Sequence, residues 1–170
     1  DSSGKVMSYE IFPTVIKVFR RLSYTQVNKF LDGEISELAD CAENLNTLHE
    51  IYKLRKKIRD ARGAIDFELP EIEITLGKKE TPIKIYKKFR GVAECIIEEC
   101  MLAANETVAE HTIKKQIPSL YRVHENPTSE KVEIFNRLLN RYSLHIPTSK
   151  EITPAQFQKV LEKVKNNPAE

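Results

Sequence analysis

Aspartate is scarce in this 170-residue chain: Asp1, Asp32, Asp40, Asp60 and Asp66 are the full set, and none pairs with another at a ligand-like spacing. A hard-metal site of clustered aspartates is therefore not visible in the sequence. His49, His111, His124 and His145 form no i,i+4 zinc helix, CxxC is absent, and no glycine-rich phosphate loop occurs. The residues alone assemble no catalytic constellation. Cysteine is also sparse. Cys95 and Cys100 lie five apart on one helical stretch and so face different ways, and with Cys41 they read as reduced, buried small hydrophobes of a cytoplasmic protein. No stretch approaches the ~18 uninterrupted apolar residues of a membrane span, and no signal-peptide architecture opens the chain, so no membrane partner is expected. Excess charge is missing as well. Lys and Arg number 27 against 25 Asp and Glu, a net of +2, so any nucleic-acid contact has to come from local patches rather than from a global field.

What is present has the balance of a soluble globular domain, 41% hydrophobic and 31% charged. "SYEIFPTVIKVF" is β-branched and aromatic and reads as an edge strand, because Pro13 cannot donate to a ladder. "SYTQVNKFLDG" reads as a short helix capped by Ser23 and ended by Gly33. From Ile35 to Arg62 apolar residues recur at steps of three and four, which predicts one long amphipathic helix ending at Gly63. The period then becomes two in "AIDFEL", "EIEITL" and "PIKIYKKF", an antiparallel set with one wet face. Gly91 precedes a helix from Val92 to about Gln116, Pro118 follows it, and "SLYRVHE" reads as a further strand. "TSEKVEIFNRLLNRYSL" and "TPAQFQKVLEKVKNN" open with capping-box chemistry and read as helices. The fold class expected is α+β, antiparallel strands packed against several helices, one of them long and buried. The absence of an initiator methionine and the charged "NNPAE" end read as a piece cut from something larger.

One helix is chemically unusual. Between Gly91 and Ala104 ten residues are apolar, yet Glu98 and Glu99 stand side by side there, and a carboxylate buried without a partner costs several kcal/mol. Glu94, Glu98 and Asn105 fall along one side and Glu99 and Glu106 along another. Two readings are open: these acids meet Arg or Lys of neighbouring elements or reach solvent, the commoner arrangement, or Glu98 faces a cavity and accepts a hydrogen bond from a ligand hydroxyl. "YKLRKKIRDAR" and "KIYKKFR" concentrate positive charge that would suit a phosphate backbone, although cations in a last helical turn also favour the macrodipole. Tyr24, Phe67 and Tyr86 stand beside polar or basic residues and could stack on bases, although lone aromatics more often belong to a core.

In order, "RLSYTQVNKFLDG", "ARGAIDFELPE", "IIEECMLAANETVAEH" and "PSLYRVHENPTSEKVE" resemble consecutive blocks of the RNB catalytic domain of the RNase II/RNase R exoribonucleases, with the bacterial ribonuclease R branch nearest in pattern. The resemblance runs over nearly the whole chain and weakens after Pro147. It implies that residues 1–170 are the central part of an RNB domain in an enzyme that degrades single-stranded RNA processively from the 3′ end to nucleoside monophosphates with Mg²⁺. It also implies site residues. Phe67 resembles the aromatic that packs on bases in the channel, Tyr24 a tyrosine near the 3′ nucleotides, and Glu98 a glutamate close to the ribose, while Glu99 and Asn105 take supporting or structural roles. The family's metal-holding aspartate motif and its arginine-bearing motif match nothing in these 170 residues, nor do the cold-shock and S1 domains, so this polypeptide alone is expected to bind no metal and to be inactive. Competing classes are a non-catalytic RNA-binding module and a plain α+β interaction domain whose carboxylates are structural.

Overall fold

The computed structural model describes residues 1–35, 37–66, 71–77, 80–148 and 152–165. The chain forms two compact units, one of Asp1–Lys56 with Glu68–Ile117, the other of Lys57–Phe67 with Pro118–Glu170. The α+β class holds: helices α1 (Tyr24–Leu31), α2 (Ala42–Ala61), α3 (Val92–Lys114), α4 (Ser129–Leu139) and α5 (Pro154–Val164) accompany a two-stranded antiparallel sheet of β1 (Glu71–Leu76) and β2 (Pro82–Lys88).

In the first unit, α1 begins where its cap dictates. Ser23 Oγ accepts from the Gln26 amide at 3.3 Å and Gln26 Oε1 accepts from the Ser23 amide at 2.9 Å, so each satisfies a donor the helix start would orphan. Gly33 ends it at φ +78°, and the Glu34 amide reaches back to the Lys29 carbonyl. The predicted long helix starts later than its periodicity implied. A 3₁₀ turn at Ala39–Cys41 precedes α2, because Leu38 and Cys41 turn inward to join Val27, Leu45 and Ala93 in the core. Side-chain spacing does not separate such a turn from a first α-helical turn. Burying a residue such as Leu38, 1% exposed, is worth about 1.5–3 kcal/mol.

The two strands that form among the described residues, paired in one ladder, are those with strict alternation. Ile74 pairs with Ile85 and Glu73 with Tyr86, which gathers Ile72, Ile74 and Ile85 on one face and Glu73, Thr75, Lys84 and Tyr86 on the other. "SYEIFPTVIKVF" and "SLYRVHE" are corrected: neither is a strand, and Val15 and Leu120 stand fully exposed. β-branched residues suit a pleated surface, but a strand exists only when a second chain offers a ladder. Tyr9 anchors the opening segment instead, its ring edge-on to His111 at 5.7 Å and under Lys114. Of "AIDFEL", Ala64–Asp66 carry no ladder and the remainder lies outside the described residues.

The second unit packs α4 and α5 around Val132, Leu139, Ile146 and Val160, with Phe135 stacked on Phe157 at 6.0 Å. Thr128 and Thr153 cap the two helices. Gln158 Nε2 donates to the carbonyls of Asp60 and Ala64, and a Cβ on Gly63 (φ +87°) would lie 2.7 Å from the Ala155 nitrogen, so only glycine permits this approach. Buried Asn136 closes the α4 turn: its Nδ2 donates to the Ile146 carbonyl at 2.9 Å and its Oδ1 accepts from the Ile146 amide at 2.8 Å. Asn136→Ala leaves both backbone groups unsatisfied and is expected to cost about 2–3 kcal/mol in urea unfolding. A loss below ~0.5 kcal/mol would show that water replaces the amide.

Candidate nucleic-acid interface

The first unit carries Tyr24 and Glu98 on two helices locked together by one side chain. Asn28 of α1 accepts from the Ala93 amide with Oδ1 at 2.8 Å and donates to Glu94 Oε2 with Nδ2 at 3.0 Å. Glu94 Oε2 also accepts from the Gly91 amide at 3.1 Å. Two donors at the α3 N-terminus, the Gly91 and Ala93 amides, are thus taken up by one carboxylate and one side-chain amide, where negative charge also suits the helix dipole. Gly91 makes this possible because a Cβ there would collide with the Asn28 side chain. Tyr24 lies one helical turn before Asn28 on the same face of α1. It is 46% exposed and borders an open depression of about 440 Å³ lined by Arg21, Leu22, Ser23, Tyr24 and Gln26.

The adjacent acids of α3 diverge by about 100° around the helix. Glu99 is the buried one, 2% exposed, and its charge acts on Tyr52 of α2. Burial first, then the Cys95 thiol, push the Tyr52 phenol above its ordinary value; the Arg90 guanidinium opposes them and the Glu99 charge adds a smaller push, so the phenol stays protonated. Glu98 is partly exposed and pairs with Arg90, Nη1 to Oε2 at 2.8 Å, the Arg90 side chain being 37% and the Glu98 side chain 34% exposed. Side chains on a helix tilt toward its N-terminus, which brings Glu98 back over the two turns that separate it from Arg90. An ion pair so open to solvent is worth about 0–1 kcal/mol to stability. The prediction of a helix enclosed on nearly every side is corrected: Ile97, Met101, Val108 and Ile113 are exposed. Apolar density along a helix states what favours burial, not what covers it.

The basic stretches differ from each other. On α2, Arg55 pairs with Glu106 and Arg59 with Asp66 largely out of solvent, so these two cations serve the fold, while Lys53 pairs with Glu50 in the open. On β2, Lys84 lies over the Tyr86 ring at 5.2 Å, and a hydrogen bond from Tyr86 to Glu73 raises that phenol. Every residue of β2 is exposed. Phe67 lies outside the described residues. Among the described residues no group of three His, Cys, Asp or Glu side chains is placed to hold a metal ion.

The sequence profile of the RNB domain matches residues 1–170. The chain belongs to the RNB family. Ribonuclease R of Aquifex aeolicus is 36% identical over 100% of this RNB chain and 24% of its own length. Ribonuclease R 1 of Lactococcus lactis is 35% identical over 98% and 21%. The chain thus spans about a quarter of the length of these relatives. Mycoplasma genitalium RNase R in complex with ribose methylated single-stranded RNA superposes with a TM-score of 0.89 at 29% identity, covering 98% of this chain and 26% of that one. The same enzyme in complex with double-stranded RNA gives 0.91 at 28% identity over 98% and 30%. Of the site residues named from the sequence, Tyr24 and Glu98 fall in one unit, on helices joined through Asn28. Asn28 lies in the first of the family blocks and Tyr52 and Arg90 in the two basic stretches, but nothing in the sequence singles any of them out as a site residue.

Gly91→Ala is expected to expel Asn28 and lower stability by about 1–3 kcal/mol, read as a drop in thermal midpoint. An unchanged midpoint would mean that the α1–α3 junction does not depend on this amide.

Proposed function

We propose that this chain forms part of the RNA channel of a processive, cytoplasmic 3′→5′ exoribonuclease that hydrolyses single-stranded RNA to nucleoside 5′-monophosphates. The observation that carries this reading is RNB membership over the whole chain, joined to the likeness to an RNase R holding single-stranded RNA. In this reading residues 1–170 are the central part of the catalytic domain. Glu98 stands beside the ribose, Tyr24 and Phe67 stack on bases, and the exposed lysines of β2 flank the phosphates. The Mg²⁺-dependent step belongs to other residues of the enzyme, and this polypeptide alone holds RNA without cutting it.

The physical logic is discrimination by a hydroxyl. A partly exposed carboxylate accepts from a ribose 2′-OH, which DNA lacks, and a polar group left unpaired by the wrong substrate separates the two strongly. Stacking supplies affinity without sequence preference, since every base has a π-face.

Binding of labelled oligouridine and the matched oligodeoxyuridine tests this directly. Glu98→Gln is expected to lower RNA affinity by about 1.5–3 kcal/mol while DNA affinity stays put, because a hydrogen bond to a charged acceptor is lost. Equal losses on both strands, or none, would remove Glu98 from the ribose and favour an interaction domain with structural carboxylates. Tyr24→Ala and Phe67→Ala are each expected to weaken both strands by ~1–3 kcal/mol. Unchanged affinity assigns that ring to packing.

A further inference from the structure

We propose that Arg90 is a specificity-determining positioning residue: its guanidinium holds the Glu98 carboxylate in the orientation that receives a ribose 2′-hydroxyl. The inference rests on the ribose reading of Glu98 and extends it to a residue outside the acid motif.

Three observations converge on Arg90. Its Nη1 donates to Glu98 Oε2 at 2.8 Å, inside the range of a charge-assisted bond, across eight residues of chain. Its backbone leads directly into Gly91, whose amide is fixed by Glu94 Oε2, and Asn28 holds the next turn through Ala93 and Glu94. The donor therefore extends from a pinned point of the chain. Lastly, both partners remain about one-third exposed, so a pair that adds little to folding stability still stands where a ligand can reach it.

Holding the carboxylate in advance matters because a glutamate has three rotatable side-chain bonds to immobilise when a ligand arrives. Fixing them before binding removes that cost from the encounter. An ionised carboxylate offers about four lone-pair sites, so Glu98 can keep the guanidinium and accept a hydroxyl together. Arg90 reaches Oε2 through Nη1 of a rigid planar guanidinium, whereas an ammonium is a point charge whose donors rotate freely. A 2′-hydroxyl then meets an acceptor already aimed, whereas a deoxyribose presents nothing to it and gains nothing from the aim.

The test is a double-variant cycle in this chain, read as the ratio of oligouridine to oligodeoxyuridine affinity and as the dependence of each on salt. Arg90→Gln is expected to reduce the ratio by about the same factor as Glu98→Gln, with DNA affinity and salt slope unchanged and no further loss when the two are combined. Arg90→Lys, which keeps the charge but not the fork, is expected to fall between Arg90→Gln and the parent, and carries the test should the glutamine variant fail to fold. Equal loss on RNA and DNA with a salt slope reduced by about one would make Arg90 a phosphate contact and overturn the inference. So would losses that simply add. If Glu98→Gln changes the ratio and Arg90→Gln does not, the ribose reading stands and only the role of Arg90 fails. If Glu98→Gln itself leaves the ratio intact, the ribose reading fails with it.

Discussion

Asn28 reaches the first turn of α3 with both ends of its amide, and the rest of the first unit depends on that contact. A helix start leaves backbone donors that must be met. Here Asn28 meets one, Glu94 meets another, and the two side chains bond to each other. Because Asn28 belongs to α1, satisfying the α3 terminus and docking α1 are the same event. The glycine at position 91 leaves the space in which it happens. Tyr24 is thereby held on one helix while Arg90 and Glu98 are held at and beyond the start of the other.

From that anchor the acids of α3 divide their tasks by rotation. Glu99 turns inward, where its charge helps keep the Tyr52 phenol protonated. Glu98 turns to the surface and meets Arg90. An apolar helix holding two acids is therefore consistent with two needs at once, one internal and one at the surface. The ion pair at the surface does not contradict a ligand role for Glu98, since a carboxylate can serve a guanidinium and a hydroxyl together.

Charge elsewhere sorts in the same way. Arg55 and Arg59 of α2 have acidic partners and sit largely out of solvent, so the basic stretch with more cations is engaged with the protein. The shorter stretch on β2 lies in the open. Counting cations along a chain ranks these segments in the opposite order to their exposure.

Much was legible from local chemistry. Ser23, Gly33, Gly63, Thr128 and Thr153 place helix ends through hydrogen bonds and backbone freedom that act within a few residues, and strict alternation places β1 and β2. The ordered motifs declared the family for the same reason, being local strings. Nothing local could decide whether "SYEIFPTVIKVF" or "SLYRVHE" finds a ladder, which side of α3 has neighbours, or which of Glu98 and Glu99 is buried. Those outcomes, together with the Asn28 clamp across 65 residues and the Arg90–Glu98 pair, follow from contacts between segments distant in sequence. Only the folded chain brings those segments into range.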